Sequence, residues 1–222
     1  MPLNKQKGNM YGFVTHTWNV IKGKCPHDCE YCYMKIFPQG EIRFDDKELK
    51  TDLGEGNFIF VGSSTDMFAE NIPKLWIEKV LAHCRNYDNT YLFQTKNPMK
   101  FYEFNDFFPN KYILGITLES NINHGRSLAQ DVEARANWFA NLDKFAKIRT
   151  RKMVTIEPIM EFDLIPFVIM IKKIQPEFVN IGADSKGHNL PEPSSEKIGQ
   201  LIKELEKFTK VNLKDNLKRI YS

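Results

Sequence analysis

The sequence has few cysteines, no long apolar run and no large excess of charge of either sign. Four cysteines in 222 residues are too few for the disulfide framework of a small secreted protein. The formal net charge of +3 does not by itself call for a nucleic-acid or membrane partner. The most apolar segment, residues 162–174, is broken by Pro166 and is too short to cross a bilayer. The first residues lack the apolar core of a signal peptide, so we expect a cytoplasmic protein.

Length and composition fit one folded domain. A chain of 222 residues that is 42% hydrophobic can bury a sizeable core. The sequence contains no internal repeat, low-complexity tract or linker. We therefore expect a single domain over residues 1–222, with an N-terminal extension at 1–11 and a C-terminal tail at 210–222.

Short β-rich runs alternate with amphipathic helical patterns, which predicts a parallel sheet with helical crossovers. Ser127 and Gln130 form a plausible capping box for one helix, whose apolar face would run from Leu128 to Leu142. The tail would add a short strand and a helical turn. The expected strands are 12–21, 57–62, 91–94, 112–118, 152–156 and 178–181, and the other expected helices are 73–87, 99–107, 163–175 and 195–208.

The number of strand–helix units sets the expected architecture. Six units are fewer than the eight of a closed α/β barrel. They fit an incomplete (β/α)6 barrel of the TIM type that is open at one side. A flat, doubly wound sheet is the alternative, because periodicity does not distinguish the two.

Three of the four cysteines lie within eight residues, in the pattern C-x3-C-x2-C formed by Cys25, Cys29 and Cys32. Three thiolates from one loop can ligate three irons of a [4Fe–4S] cluster and leave the fourth iron without a protein ligand. An open metal position can bind a small molecule. The alternative is a structural zinc site with His27 or His16 as the fourth ligand, although such sites usually bring a second Cys/His pair.

A charged, hydroxyl or thiol residue lies at or just beyond the carboxyl end of every predicted strand. Active sites of α/β barrels form at the carboxyl ends of the strands, and open sheets also bind ligands there. We therefore expect most of these residues to line one cleft. They are Cys25, residues 63–66, Thr95, Lys96, Glu119, Glu157 and Asp184.

The cysteine spacing, with the aromatic Tyr31 just before the third cysteine, resembles the radical S-adenosylmethionine (SAM) superfamily. The strings TWNVIKGKC, VGSSTDMF, QTKNP, TIEP and IGADS also resemble an uncharacterised phage-associated radical SAM family that is distantly similar to spore photoproduct lyase. The resemblance extends over residues 15–184. It implies a laterally open partial barrel, a [4Fe–4S] cluster on the three cysteines, bound SAM, and action in a host cytoplasm if the chain is phage-encoded.

The resemblance also implies which residues contact SAM. Members of the superfamily usually carry an acidic motif after the second strand, and this sequence lacks it. Asp66 or backbone carbonyls are therefore the candidates for binding the SAM ammonium group. Lys96, Glu157 and Asp184 are candidate catalytic residues of the cleft. At adenine, the implied contacts are Tyr31 and the backbone of Ile181, Gly182 and Ala183. At the SAM amino group, they are Gly62, Ser63, Ser64 and Thr65. At the ribose, they are Glu119 and Ser120, with Thr95 beside them.

The implied activity is reductive cleavage of SAM to methionine and a 5′-deoxyadenosyl radical, which abstracts hydrogen from a substrate. A reductase or a ferredoxin- or flavodoxin-type protein would supply the electron. A barrel open at its side can admit a nucleic-acid strand or a protein loop. The alternative function is a non-catalytic nucleic-acid-binding module stabilised by zinc or an iron–sulfur cluster. Basic residues that could follow phosphates are Lys207, Lys210, Lys214, Lys218 and Arg219, with Arg149, Arg151 and Lys152.

Overall fold

The structure is a computed structural model that describes residues 3–144 and 150–222. The described strands are β1 (Asn4–Lys5), β2 (His16–Trp18), β3 (Ile21–Lys22), β4 (Arg43–Phe44), β5 (Phe58–Val61), β6 (Thr90–Thr95), β7 (Tyr112–Thr117), β8 (Lys152–Ile156), β9 (Phe178–Ile181) and β10 (Lys210–Leu213). The described α-helices are α1 (Lys74–Cys84), α2 (Lys100–Glu103), α3 (Val132–Ala140), α4 (Leu164–Ile174) and α5 (Ser195–Leu205).

Eight strands form one sheet in the order β1-β2-β5-β6-β7-β8-β9-β10. From β2 to β10 all neighbours are parallel, while β1 is antiparallel to β2 at the edge. The strand order follows the chain without the reversal that marks a doubly wound sheet. Within the described residues β10 pairs only with β9, so the sheet stays open. The prediction of a laterally open partial barrel is confirmed.

The two ends of the sheet differ from the expected strands in length and number. The first predicted strand, 12–21, is reduced to β2, and β3 leaves the sheet to pair with β4 in a separate two-stranded sheet. At the other end, the tail supplies β10 as a further parallel strand, followed by a 3-10 turn at Asp215–Arg219. The predicted short strand and helical turn of the tail are therefore confirmed.

Alternation of side chains along the strands separates two apolar clusters. Residues that face outward, such as Val154 and Val179, pack under the helices in the main core. Residues that face the concave side, such as Leu92 and Met153, form a smaller cluster. Tyr11 joins that smaller cluster, with Val14 and Phe13 from the same segment. The segment before β2 therefore fills the amino-end half of the barrel interior.

The helix expected to start near Ser127 begins later, at Val132. The Asp131 carboxylate caps it by accepting a hydrogen bond of 2.9 Å from the backbone N–H of Glu133. The predicted capping box is therefore wrong, and so is the predicted burial of Leu128, which is 77% exposed. The cause is a backbone hydrogen bond of 2.7 Å from Leu128 N–H to the His27 carbonyl, which holds the residues before α3 as a loop against the cysteine loop.

Candidate active site

Pleating of the parallel strands determines which strand-end residues face the barrel interior. Successive side chains of a strand point to opposite faces, so every second residue faces inward. The strand register aligns these inward rows with one another. Each row begins with a side chain at the base and ends at the carboxyl edge. The rows are Leu92-Gln94-Lys96, Ile113-Gly115-Thr117-Glu119, Met153-Thr155-Glu157, Phe178-Asn180-Gly182 and Lys210-Asn212-Lys214.

The cysteine loop lies at this carboxyl edge, beyond β3. Two tight turns wind the loop, through backbone hydrogen bonds from Asp28 N–H to Cys25 O and from Cys32 N–H to Cys29 O, both 3.1 Å. Asp28 adopts a positive φ of 41°, which reverses the chain between the first two cysteines. Cys29 is buried, Cys25 and Cys32 are half-buried, and all three are free thiols. The loop therefore presents three thiols from one short segment.

Lys96 connects the cysteine loop to the end of β7. Its Nζ lies 3.0 Å from the Cys29 sulfur and 2.6 Å from Glu119 Oε1. The Tyr31 hydroxyl donates to Glu119, and the lysine ammonium group lies 4.5 Å from the centre of the Tyr31 ring. The structure therefore brings four of the predicted site residues, Cys29, Tyr31, Lys96 and Glu119, into direct contact.

Arg135, on helix α3, contacts Glu119 from the other side. The sequence analysis did not single out this residue. Its guanidinium donates to Glu119 Oε2 at 2.9 Å and to the Thr117 carbonyl at 2.7 Å. Arg135 is only 4% exposed, which is rare for arginine unless it is paired. An arginine on the helix face that also carries Val132 and Phe139 was the available sequence signal.

The buried charged groups around Glu119 strongly shift one another's pKa values. Burial alone would raise the pKa of Glu119, but the Arg135 and Lys96 cations hold it well below its usual value. The Glu119 carboxylate in turn raises the pKa of Lys96, against the opposing effect of burial. Burial, with the negative charge of Glu119, raises the pKa of Tyr31. The cluster therefore holds a permanent carboxylate between two permanent cations.

Asp66 ties three segments together behind the cysteine loop. Its Oδ2 lies 2.8 Å from His27 Nε2 and accepts hydrogen bonds from the Thr95 hydroxyl at 2.9 Å and the Lys96 backbone N–H at 2.8 Å. Its Oδ1 accepts from the Phe68 N–H at 2.9 Å. Thr95 faces away from the interior, opposite Lys96, and serves this cluster. Asp66 therefore has four protein partners before any ligand is considered.

The segment from Gly62 to Thr65 packs against the cysteine loop. Gly62 has a φ of +77°, a conformation that suits glycine. The Asn19 side chain accepts hydrogen bonds from the Ser63 hydroxyl and the Ser64 N–H, at 3.2 and 3.0 Å. The Thr65 hydroxyl donates to the Gly23 carbonyl at 2.9 Å. These contacts hold residues 62–65, which the sequence resemblance places at the SAM amino group, beside the cysteine loop.

An open cleft of about 360 Å³, partly shared with solvent, adjoins Tyr31 and Glu119. The loop before α3 forms one side of the cleft, and Met160 contributes to another side. Two residues that line this cleft, Gln130 and Arg135, each carry a buried polar atom without a hydrogen-bond partner within the described structure, the Gln130 Oε1 acceptor and the Arg135 Nε donor. The wall of the cleft therefore holds one unpaired acceptor and one unpaired donor just beneath its surface.

The carboxyl ends of β8, β9 and β10 meet around Glu157. Its carboxylate pairs with Lys214 Nζ at 2.6 Å and accepts from the Asn216 amide at 2.9 Å. A Cβ at Gly182 would lie 2.7 Å from Glu157 Oε1, so a larger residue here would displace the Glu157 side chain from its partners. The Asn216 amide also donates to the Ala183 carbonyl at 2.6 Å. Glu157 and Gly182 therefore lie together on the β8–β10 side of the interior.

The remaining predicted residues hold nearby loops. Ser120 donates to the Glu161 carbonyl at 2.6 Å, which links the loops after β7 and β8. Asp184 accepts from its own loop, including His188 Nδ1 at 2.7 Å. Ile181 is fully buried on the helix side, and its carbonyl accepts from the Lys214 N–H. The backbone groups predicted to meet adenine thus include some that already have protein partners.

The residues present fit a [4Fe–4S] cluster by their donor set and their charge. Two buried cations, Lys96 and Arg135, face one buried carboxylate, Glu119, and buried charges need compensation. Thiolates on Cys25, Cys29 and Cys32 would add the missing negative charge next to Lys96. His27, the candidate fourth zinc ligand, has its Nε2 engaged by Asp66. In the parts of the chain that the structure describes, no three His, Cys, Asp or Glu side chains converge on a single-ion site.

The basic residues near the C-terminus are largely paired with acidic ones. Lys207 pairs with Glu204, and Lys218 with Asp215. Arg219 pairs with Glu192, Arg151 with Glu177, and Lys152 with Asp143. Arg149 lies outside the described residues. The described basic side chains named here therefore form ion pairs and not a row of free cations. No helix in the described chain has the length and apolarity to cross a membrane.

No protein-family model matches the sequence, and no curated protein does. Solved structures match over most of the chain. A spore photoproduct lyase variant has a TM-score of 0.68 at 11% identity, covering 94% of this chain and 79% of that chain. Methylornithine synthase (PylB) has a TM-score of 0.55 at 13% identity, with coverages of 88% and 63%. The anSMEcpe structure with bound AdoMet and a peptide has a TM-score of 0.50 at 14% identity, with coverages of 89% and 62%.

These identities establish the fold alone. The matched structures share an α/β architecture in which a mostly parallel sheet does not close into a barrel. The chain therefore shares the partial TIM-barrel fold of these structures.

Proposed function

We propose that this protein is a radical SAM enzyme that carries a [4Fe–4S] cluster on Cys25, Cys29 and Cys32. The observation that supports this most is the contact between Lys96 and the Cys29 sulfur at 3.0 Å, next to the buried Glu119. Metal is ligated by thiolates, and a permanent cation beside the three cysteines would offset the negative charge of a thiolate-ligated cluster. When bound, the reduced cluster and SAM would supply a 5′-deoxyadenosyl radical that takes a hydrogen atom from the substrate.

The chain's own residues have separate tasks in this proposal. Lys96 lies between the cluster loop and the cleft, so its ammonium group can hold the SAM carboxylate. Glu119 is fixed by Arg135 and can accept hydrogen bonds from ribose hydroxyls. Tyr31 and Met160 provide apolar surface for the adenosyl end, and Gln130, which lines the cleft and whose Oε1 has no partner, can turn that acceptor toward the adenine amino group. Asp66 already holds the surrounding loops and serves to position them.

SAM cleavage tests the proposal directly. The protein is reconstituted anaerobically with iron and sulfide, reduced with dithionite and incubated with SAM, and 5′-deoxyadenosine is measured by mass spectrometry. We expect 5′-deoxyadenosine from the wild-type protein and from Cys84→Ala, because Cys84 is the buried last residue of α1 and does not belong to the cysteine loop. We expect none from Cys29→Ala. Product formation by Cys29→Ala, or its absence from a wild-type protein with an intact cluster, contradicts the proposal.

The assignment of the cleft has its own test. Gln130→Leu should weaken SAM binding about tenfold, the usual cost of losing one hydrogen bond. Isothermal titration with the reconstituted protein measures the affinity, and iron content shows that the cluster is intact. Asn110→Leu, at an exposed position away from the cleft, is the control. An unchanged affinity in Gln130→Leu rejects this placement of the adenosyl group while leaving the cluster assignment in place.

The proposed partners follow from the chemistry. Reduction of the cluster needs a low-potential donor, a reductase or a ferredoxin- or flavodoxin-type protein. The open side of the barrel leaves room for a large substrate, such as a nucleic acid or a protein. Three free thiols and a labile cluster require a reducing compartment, so the proposed location is the cytoplasm. The ion pairs of Lys207, Lys214, Lys218 and Arg219 give no support to the alternative of a nucleic-acid-binding module without catalysis.

A further inference from the structure

The cysteines occupy only the first half of a longer loop between two short strands. β3 and β4 pair antiparallel, and residues 23–42 join them. The Lys24 N–H donates to the Gly40 carbonyl at 2.9 Å, which closes this loop at its base. The second half, residues 33–40, brings the chain back toward β4, and we call it the return arm. The described residues that line the active-site cleft include Tyr31 but none of the return arm.

The return arm holds two adjacent apolar side chains in solvent. Ile36 is 60% exposed and Phe37 is 53% exposed. The backbone that carries them is fixed, because the Phe37 N–H donates to the Met34 carbonyl at 3.0 Å. The Gln39 amide also donates to the carbonyls of Met34 and Phe37, at 2.9 and 3.2 Å. Apolar and aromatic side chains that an ordered loop keeps exposed are typical of a protein–protein contact site.

The return arm is a direct continuation of the cysteine segment. Tyr33 follows Cys32, and its hydroxyl donates to the Ser63 carbonyl at 2.9 Å, which ties the start of the arm to the loop after β5. The cleft is connected to the cysteine segment at a different point, where the Glu30 N–H donates to the Arg126 carbonyl at 2.9 Å. A protein bound to the return arm would therefore lie next to the cysteines without entering the cleft.

The charges around the return arm leave a small positive surplus. The Asp28 carboxylate is shared by two cations, Lys24 at 3.1 Å and Lys35 at 2.9 Å. Arg43, at the start of β4, is exposed and forms no ion pair with the described residues. The exposed Glu41 is the other carboxylate here. Three cations therefore face two carboxylates, and this balance favours a partner with an acidic surface.

The size and place of the contact decide between three possible occupants. A stable dimer of two copies usually buries at least about 1,200 Å², which is more than two exposed side chains provide, whereas electron-transfer encounters are smaller. A substrate has to reach the cleft, which the return arm does not line. An electron carrier only has to approach the cysteine segment. The return arm therefore fits an electron carrier better than a second copy or a substrate.

We propose that the return arm, with Arg43, is the docking surface for an acidic one-electron carrier protein. This inference rests on the proposed function, because only a redox-active cluster on the cysteines needs such a partner. Ile36 and Phe37 form the apolar centre of the contact, and the cations steer the carrier toward it. The carrier loses one electron and the cluster gains it. No bond forms or breaks in this step, and no proton moves.

Binding is measured first, without turnover. Oxidised plant-type [2Fe–2S] ferredoxin, an acidic one-electron carrier, is titrated calorimetrically into the reconstituted protein at low salt. The double variant Ile36→Ser/Phe37→Ser should weaken binding at least tenfold, as loss of the centre of an interface does. Arg43→Glu should weaken binding about threefold, and less at high salt. The matched controls Ile165→Ser, at a position 59% exposed, and Lys173→Glu both lie on α4 and should bind as the wild type does.

Delivery of the electron is measured by SAM cleavage with two reductants. Reduced ferredoxin has to dock, whereas dithionite is a small molecule that needs no docking surface. The double variant should lose ferredoxin-supported formation of 5′-deoxyadenosine at least tenfold and keep the wild-type rate with dithionite. Iron content and melting temperature should match those of the wild type, because both replaced side chains are exposed.

Three outcomes overturn the docking surface. They are no binding of ferredoxin to the wild type, unchanged binding in the double variant, and an equal loss of cleavage with both reductants. Light scattering shows whether the arm instead joins two copies, in which case the double variant changes the mass of the protein and not its affinity for ferredoxin. Absence of cleavage from the wild type with dithionite rejects the proposed function. Normal cleavage with dithionite and unchanged ferredoxin binding in the double variant reject the docking surface alone.

Discussion

Replacement of Arg135 by methionine should destabilise the fold far more than loss of an ordinary surface arginine. The guanidinium is buried against Glu119, with side-chain exposures of 5% and 6%. Removing one partner of a buried ion pair costs about 3–5 kcal/mol, because the other charge stays buried. Since Lys96 still contacts Glu119, we expect the lower end, about 3 kcal/mol. For a chain of this size that lowers the melting temperature by about 6–12 °C.

The assay is urea unfolding of the metal-free protein under reducing, anaerobic conditions, followed by circular dichroism. Arg151→Met is the matched control, because Arg151 pairs with Glu177 at the surface, where the side chains are 52% and 48% exposed. Such pairs contribute about 0–1 kcal/mol. The same assay with Glu119→Gln and the double variant gives the coupling energy of the buried pair. The reasoning is refuted if Arg135→Met costs no more free energy of unfolding than Arg151→Met.

Three further predictions concern single positions. Cys29→Ala should lose bound iron, whereas Cys84→Ala should retain it, as measured by metal analysis; equal iron in both would remove Cys29 from the ligand set. Gly182→Ala should destabilise by about 1–3 kcal/mol through overpacking, while Gly12→Ala, with no atom near the added Cβ, should not; equal melting temperatures would contradict the close packing. Burial would raise the pKa of Asp184, but hydrogen bonds from His188 and from the backbone of its loop outweigh burial and lower that pKa below 3.8. The Asp184 carboxylate therefore stabilises the fold above that pH, and this stabilisation is lost as the pH falls. Acid unfolding curves of the wild type and Asp184→Asn should converge at low pH, and a constant difference in stability would refute this.

The fold was largely predictable because the alternation of strand and helix patterns is strong in this sequence. The predictions failed locally, where a contact made by the folded chain outweighed the pattern in the sequence. The residues around Leu128 have helical spacing, but a backbone hydrogen bond to the cysteine loop holds them out of the helix. Strand β10 is only half-buried and polar, so periodicity indicated a short strand without showing that it continues the parallel sheet.

The site was predictable where residues follow strands, because pleating decides which of them face inward. Lys96 and Glu119 meet, as expected for neighbouring strand ends. Thr95 does not join them, since it points to the opposite face, where it binds Asp66. Arg135 and Asn216 could not be placed from strand ends, because they come from a helix and from a turn near the C-terminus. Lys214 continues the inward row of β10, but that row is visible only once the strand is known.

The central claim is that Cys25, Cys29 and Cys32 hold a [4Fe–4S] cluster with one iron open to SAM. The most direct measurement combines iron and sulfide analysis with electron paramagnetic resonance of the reduced protein, before and after addition of SAM. The account predicts about four iron and four sulfide per chain, and a spectrum that changes when SAM binds. Zinc in place of iron, or a cluster spectrum that SAM leaves unchanged, would contradict it.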